Sequence, residues 1–243
     1  MGSSRPVADA LAQIIPLFRL TTFRAVKHEA DVESADRPSE PQFVLGVDLD
    51  GVCVDFYGKL REIAADWLER PIDELTPEVT YGLPEWGLDP MGGYTKLHRY
   101  AVTQRGLFLA APPIPGAPAA LRRLNEAGIR IRVITNRLFI KYFHEQAVQQ
   151  TIRWLDAHGI PYWDLCLLPD KAAVGADLYV DDTPENIDAL RKKGLNAIVF
   201  SNSTNRDVAP PRANDWDELE RMILRELEEW STKPEAKTPP AGH

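Results

Sequence analysis

The run Phe43-Val44-Leu45-Gly46-Val47-Asp48-Leu49-Asp50-Gly51-Val52-Cys53-Val54-Asp55 decides how this chain is read. Uncharged, mostly bulky apolar residues lead straight into an acid. An unbroken apolar run of this kind suits a strand buried on both faces of a parallel sheet. Asp48, Asp50 and Asp55 then crowd its carboxyl end, and Gly51 lets the chain turn back over that end. Open parallel sheets bind ligands beyond the carboxyl ends of their strands. An acidic strand end is therefore where chemistry is expected.

The sequence downstream repeats one pattern. Ala117–Ala127 reads as a helix closed by Gly128, and Ile129–Ile134 as a strand ending in Thr135-Asn136-Arg137. Phe139–His158 reads as a helix closed by Gly159 and Pro161, followed by strands over Asp164–Leu168 and Leu178–Val180. Pro184–Lys193 is a helix, Ala197–Phe200 a strand and Asp215–Trp230 a helix. Strands alternating with helices predict an α/β fold, a parallel sheet covered on both faces. Between the first strand and Pro112, the spacing of Leu60, Ile63, Ala64, Trp67 and Leu68 predicts a helix over Lys59–Arg70, and Tyr94–Gln104 a second one. Residues 76–94 are rich in Pro, Gly and aromatics and show no clean period. The first 42 residues differ from the rest. Val7, Leu11, Ile14, Ile15, Phe18 and Phe23 suggest one helical face interrupted by Pro16, and acidic, Pro-containing residues 29–42 read as a linker. From Ser231 the tail is expected to be flexible.

Composition narrows the function. The 243 residues suffice for one large domain, or for a core with an inserted module. With 44% hydrophobic and 26% charged residues, disorder over the full length is excluded. No apolar run reaches the roughly 18 residues of a membrane span. A net charge of -8 argues against polymeric nucleic acid as a partner. Two cysteines, Cys53 and Cys166, form no disulfide framework and point to a reducing compartment, the cytoplasm. The basic residues of segment 1–28 leave an organelle-targeting role open.

The polar residues gather at strand ends. They are Asp48 and Asp50, then Thr135-Asn136-Arg137, Lys171 after the 164–168 strand, and Asp181-Asp182 after the next strand. Clustered carboxylates repel one another and call for a cation, and a set of oxygen donors without His or Cys suits Mg²⁺. His28, His98, His144, His158 and His243 show no ligand-like pairing, which argues against zinc. A carboxylate can attack phosphorus, a lysine can offset phosphate charge, a threonine can donate to phosphate, and a second carboxyl can shuttle the proton.

The Asp-x-Asp-Gly-Val-x-x-Asp run at 48–55 with Thr135, Lys171 and Asp181-Asp182 resembles the haloacid dehalogenase (HAD) superfamily of phosphohydrolases, over about residues 43–225. That likeness implies a HAD-like doubly wound parallel sheet, three-layer α/β/α, with a small helical cap inserted after the first strand. The core would be 43–56 and 112–230, the cap 57–111. It implies Asp48 as nucleophile and metal ligand, and Asp50 as general acid/base that also offers its backbone carbonyl to Mg²⁺. Thr135 and Lys171 would hold phosphate, with Asn136 beside them. Asp182 would be the third protein ligand, and Asp181 would lie beside it or behind it. More closely, Asp48–Phe56, the turn at Pro115-Gly116-Ala117, Trp154, and Pro169-Asp170-Lys171 through Asp181-Asp182 look like the 5′(3′)-deoxyribonucleotidase (cytosolic type C 5′-nucleotidase) family. That implies a nucleoside monophosphate substrate and a base pocket that includes Phe56. Trp86, Tyr81 and Tyr94 are the candidate cap aromatics. Two positions depart from the family: Thr135-Asn136-Arg137 stands where Thr-Ser-Pro is common, and Thr151 stands where relatives carry lysine. Rival expectations are a phosphatase for another small ester or for polynucleotide 3′ ends, and a nucleotide-binding protein without turnover. A homodimer is compatible with all of these.

Other residues have plainer readings. Asp55 is expected to brace the loop as a hydrogen-bond acceptor, Cys53 and Cys166 to pack, and Arg137 either to reach substrate or to pair with an acid.

Overall fold

The computed structural model describes residues 42–232. The predicted arm and linker over 1–42, with its helical face and the targeting question, lies outside the described residues except at its last position.

Six parallel strands form one sheet: β1 (Val44–Val47), β2 (Arg130–Thr135), β3 (Asp164–Leu167), β4 (Leu178–Asp181), β5 (Ala197–Phe200) and β6 (Arg212–Ala213). Their order is β3-β2-β1-β4-β5-β6. The chain builds outward from β1 in one direction and returns to build in the other, so the order reverses between β1 and β4. The crevice at such a reversal is the natural ligand site of an open α/β sheet. Here β1 runs into Asp48 and β4 into Asp181-Asp182.

Both faces are covered, which makes three layers. Leu45, Val47, Ile131, Val133, Val180 and Ile198 point to one face and pack with α4 (Ala117–Glu126) and α7 (Trp216–Thr232). Ile134, Tyr179, Ala197 and Val199 point to the other, with Ile187 and Leu190 of α6 (Pro184–Lys192). Each strand alternates at period two with both sides apolar, which is why the sequence shows continuous runs. Gly46 is required by closeness: a Cβ there would stand 2.7 Å from Ile134 Cδ1.

The segment between β1 and β2 has its own core. Helices α1 (Phe56–Leu68), α2 (Gly93–Gln104) and α3 (Leu107–Ala110) bury Leu60, Ile63, Leu83, Trp86, Leu97, Val102 and Phe108 together. Two strands of chain join this insert to the sheet side by side, since Asp55 N donates to Pro112 O at 2.9 Å and Ile114 N to Cys53 O at 2.8 Å. The indole of Trp154, on α5 (His144–Ala157), donates to Ala111 O at 2.7 Å and ties the return path to the core.

The differences from the sequence reading are local. Helix α1 starts at Phe56 rather than Lys59, because Asp55 caps it and accepts from Gly58 N at 3.0 Å. Helix α5 starts at His144 rather than Phe139. Residues 139–143 turn instead, with Tyr142 at φ 70°, and send Ile140 and Phe143 to the insert's core. Helix α7 runs to Thr232, past the expected start of the tail. The short α3 and β6 were not anticipated.

Candidate active site

Asp48 follows the last residue of β1, and its backbone N–H donates to Val180 O at 3.0 Å, so the sheet itself sets its position. The loop beyond it is folded tightly: Cys53 and Val54 N–H both donate to Leu49 O at 2.8 Å, and the Trp216 indole donates to Val52 O at 2.8 Å. Gly51 adopts φ 82°, and a Cβ there would lie 2.1 Å from Asp182 Oδ2. This position demands glycine both for its backbone and for its space.

Lys171 opens a short 3₁₀ turn after β3 and is 5% exposed. Its ammonium lies 2.8 Å from Asp48 Oδ2 and 2.5 Å from Asp181 Oδ2. Although burial opposes it, the two carboxylates push the Lys171 pKa up, so the ammonium stays charged. Asp181 also accepts from Thr183 N at 2.9 Å and from the Asn186 amide at 3.1 Å. Asp182 accepts from the Asn202 amide at 2.7 Å, and Asn205 donates to the Asp182 carbonyl at 2.7 Å.

Asp48, Asp181 and Asp182 are all buried, and each offers a carboxylate oxygen within 4.8 Å of the others. Burial first, then the neighbouring acids, pushes Asp48 up to about 7 against the pull of Lys171. The same causes raise Asp182 well above the ordinary carboxylate range. Three buried acids facing one ammonium are short of positive charge. That shortage, with donors that are oxygen alone, fits a hard divalent cation. The Asp50 carboxylate is not in this cluster. It turns to Arg137, whose Nε and Nη2 donate to it at 3.0 and 2.5 Å.

Above the acids lies a cavity of about 490 Å³, within the range that holds small ligands. Its floor carries Asp48, Asp50, Thr135, Asn136, Lys171 and Asp182. Phe56, Tyr57, Tyr81, Tyr94, His98 and Phe139 surround it with rings. Phe56 is buried and lies 5.3 Å from Tyr57 and 5.7 Å from His98 between ring centroids. Burial lowers His98 to about 4, so its imidazole is neutral.

The candidate residues therefore share one cavity, apart from Asp181, which stands behind Lys171. Trp86 does not line it: its indole donates to Thr76 O at 2.8 Å, and the ring borders a separate cavity. Tyr57, His98 and Phe139 were missed. The run Phe56-Tyr57 after an N-cap aspartate was the available signal for Tyr57, while nothing in the spacing marks His98 or Phe139. Cys53 donates to Asp48 O at 3.2 Å, and burial raises its pKa, which leaves an unreactive packing thiol. The two departures from the family pattern meet: Arg137 Nη1 donates to Thr151 Oγ1 at 3.1 Å.

A six-stranded parallel sheet with this order, carrying acids at the reversal point and a helical insert after its first strand, has the fold of the HAD superfamily. A HAD family hydrolase from Deinococcus radiodurans R1, solved with bound phosphate and sodium, superposes with TM-score 0.54 at 13% identity, covering 77% of this chain and 97% of that one. A haloacid dehalogenase-like family hydrolase from Streptococcus pneumoniae gives TM-score 0.52 at 14% identity, over 75% and 99% of the two chains. These likenesses concern the fold. The family model described as 5′ nucleotidase, deoxy (pyrimidine), cytosolic type C protein matches residues 42–228, and the chain belongs to that family of phosphomonoester hydrolases. A Chlorobaculum tepidum protein, provisionally named a 5′(3′)-deoxyribonucleotidase, is 57% identical over 76% of this chain and 92% of its own length. The human cytosolic-type 5′(3′)-deoxyribonucleotidase is 29% identical over 73% and 91%. A mouse mitochondrial type is 26% identical over 70% and 81%. Relatives thus work in more than one compartment. Among the described residues no helix is long and apolar enough to cross a membrane.

Proposed function

We propose that this chain is a Mg²⁺-dependent 5′(3′)-deoxyribonucleotidase that works in the cytoplasm through an aspartyl-phosphate intermediate. The observation that carries the reading is the buried cluster of Asp48, Asp181 and Asp182 against Lys171, at the floor of a ring-lined cavity. A monoester would lay its phosphate on the floor and its base among Phe56, Tyr81, Tyr94 and Phe139, where flat apolar faces favour a planar leaving group. Acidic charge overall disfavours the polymer ends.

Asp48 and Asp182, with the Asp50 carbonyl, would hold the cation, and Asp181 would support them by engaging Lys171. When bound, the cation neutralises the clustered acids and the phosphate oxygens. Lys171 and the Thr135 hydroxyl draw phosphate toward Asp48, with Asn136 at the rim. A carboxylate oxygen of Asp48 attacks phosphorus as the bond to the ester oxygen breaks. Asp50 gives its proton to that oxygen and the nucleoside leaves. Asp50 then takes a proton from water, which attacks the acyl phosphate, frees inorganic phosphate and regenerates Asp48. The helical insert would act as a cap that excludes bulk water and selects the leaving group.

A turnover panel tests this reading: dUMP, dTMP, a sugar phosphate and a 3′-phosphorylated oligonucleotide, each with Mg²⁺ and with chelator. Mg²⁺-dependent phosphate release is expected, fastest from the deoxynucleotides. Binding of nucleotide without phosphate release from any ester would refute it. Asp48→Asn should abolish turnover while the fold survives, since it removes nucleophile charge and a metal ligand together; near-normal turnover in that variant would also refute it.

A further inference from the structure

Each acid of the Asp48-Leu49-Asp50 run has its own buried cation. Lys171 serves Asp48, and Arg137 serves Asp50. We propose that Arg137 is a positioning residue, whose guanidinium fork fixes the Asp50 carboxylate in the orientation that meets the leaving group and then the water. This rests on the reading of Asp50 as the proton-transfer group.

The geometry is that of a built support. Arg137 stands two residues past the end of β2 and is 1% exposed. Nε reaches Asp50 Oδ2 at 3.0 Å and Nη2 reaches Oδ1 at 2.5 Å, so each carboxylate oxygen has one lone pair held by the fork and one left to carry the transferred proton. The third nitrogen, Nη1, donates to Thr151 Oγ1 at 3.1 Å, and that hydroxyl spends its proton on Ala147 O at 2.8 Å within α5. The guanidinium carbon lies 4.2 Å from the centroid of the Phe108 ring, on α3 of the helical insert. One side chain thus joins the acid, a core helix and the insert.

Three features separate this from a bridge that merely holds the fold. Asp50 lines the catalytic cavity while Arg137 sits behind it, outside the lining. Asp50 has no other side-chain partner among the described residues, and Gly51 follows it, so without Arg137 its carboxylate plane would be free to rotate. A single-point contact would fix distance only, whereas two parallel bonds fix the plane as well. Lysine, a point charge, cannot do that. A carboxylate displaced by about 1 Å from its productive place can cost on the order of a hundredfold in rate.

The test compares Arg137→Lys and Arg137→Ala with Asp50→Asn in the full chain with Mg²⁺, on dUMP and on p-nitrophenyl phosphate. The aryl oxide leaves without help from an acid, so its first step bypasses Asp50. Both Arg137 variants are expected to lose about a hundredfold in kcat on dUMP with KM little changed. On p-nitrophenyl phosphate they should give a rapid burst of phenolate and then slow turnover, because only hydrolysis of the phosphoenzyme still needs Asp50. Added guanidinium ion should restore part of the rate to Arg137→Ala, and Asp50→Asn/Arg137→Ala should be no slower than Asp50→Asn alone. Arg137→Lys also guards against misfolding of the alanine variant, since it keeps the charge. Wild-type kcat in Arg137→Lys beside an inactive Asp50→Asn would overturn the proposal and leave the nucleotidase reading intact. So would equal losses on both substrates without a burst. Full activity in Asp50→Asn would instead sink the premise about Asp50.

Discussion

Mg²⁺ should stabilise this protein strongly above neutral pH and weakly at pH 5, and the difference can be worked from the acid cluster. Asp48 is raised from an ordinary 3.8 to about 7, by burial first and then by Asp181 and Asp50. A carboxyl whose pKa is higher in the folded chain than in the unfolded one holds its proton longer in the fold. Its stabilising contribution is whole below pH 4 and is lost as pH rises through about 7. A rise of about three pKa units corresponds to on the order of 4 kcal/mol. Asp182 is raised for the same reasons and adds to the loss. Metal-free protein should therefore become less stable between pH 4 and 7 on account of this cluster. A divalent cation replaces the missing protons and stabilises the fold in proportion to its binding. Urea unfolding at pH 5 and pH 8, with chelator and with millimolar Mg²⁺, isolates the effect, because acids elsewhere cancel in the difference. The expected gain from Mg²⁺ at pH 8 exceeds that at pH 5 by about 2 kcal/mol or more, which recovers part of that loss. An equal gain at both pH values, or none at pH 8, would refute the charge argument on which the metal site depends.

Other outcomes follow from single contacts. Lys171→Met should abolish turnover and cost about 3 kcal/mol of stability at pH 8, since it leaves Asp48 and Asp181 buried without a counter-charge; chemical denaturation checks it. Gly51→Ala should remove the Mg²⁺-dependent stabilisation measured by thermal melts, because its methyl would collide with Asp182 at a backbone conformation alanine resists. Phe56→Ala should change the ranking of nucleotides more than the rate on p-nitrophenyl phosphate, and equal losses on both would show that the ring only packs. Trp216→Ala should destabilise by about 4 kcal/mol and lower kcat as well, since the indole both fills the core and anchors Val52 in the loop that follows Asp48 and Asp50.

The core and the acids were legible because they obey short-range rules. Apolar runs ending in Asp48, Thr135 and Asp181 mark buried strands whose carboxyl ends face one crevice, and strand topology then does the assembling. What escaped depends on contacts far apart in sequence. Phe139–His158 reads as one helix, but Leu138, Ile140 and Phe143 serve the insert's core and not a helical stripe. His98 reads as an ordinary residue on an amphipathic helix; only the fold places it against Phe56, Phe108 and Phe139. Strand β6 has two residues, too few for any period to show.

The same division of labour runs through the site itself. In the proposed reaction, phosphate and cation would meet groups at the ends of β1, β2 and β4 and at the turn of Lys171, all set by the sheet, whereas the rings at the leaving group would come mainly from α1, α2 and the loops at Tyr81 and Phe139. Arg137 belongs to both sets, bonded to Asp50 and lying over the ring of Phe108. Chemistry and selectivity are then separable by mutation at most positions, but not at Arg137. A change there should slow the acid-dependent step, and a change at Phe108 should do so more weakly, with Phe108→Leu lowering kcat on dUMP while phenolate release in the first turnover stays fast. If Phe108→Leu alters KM alone, the insert supplies shape to the leaving-group site and gives Asp50 no support.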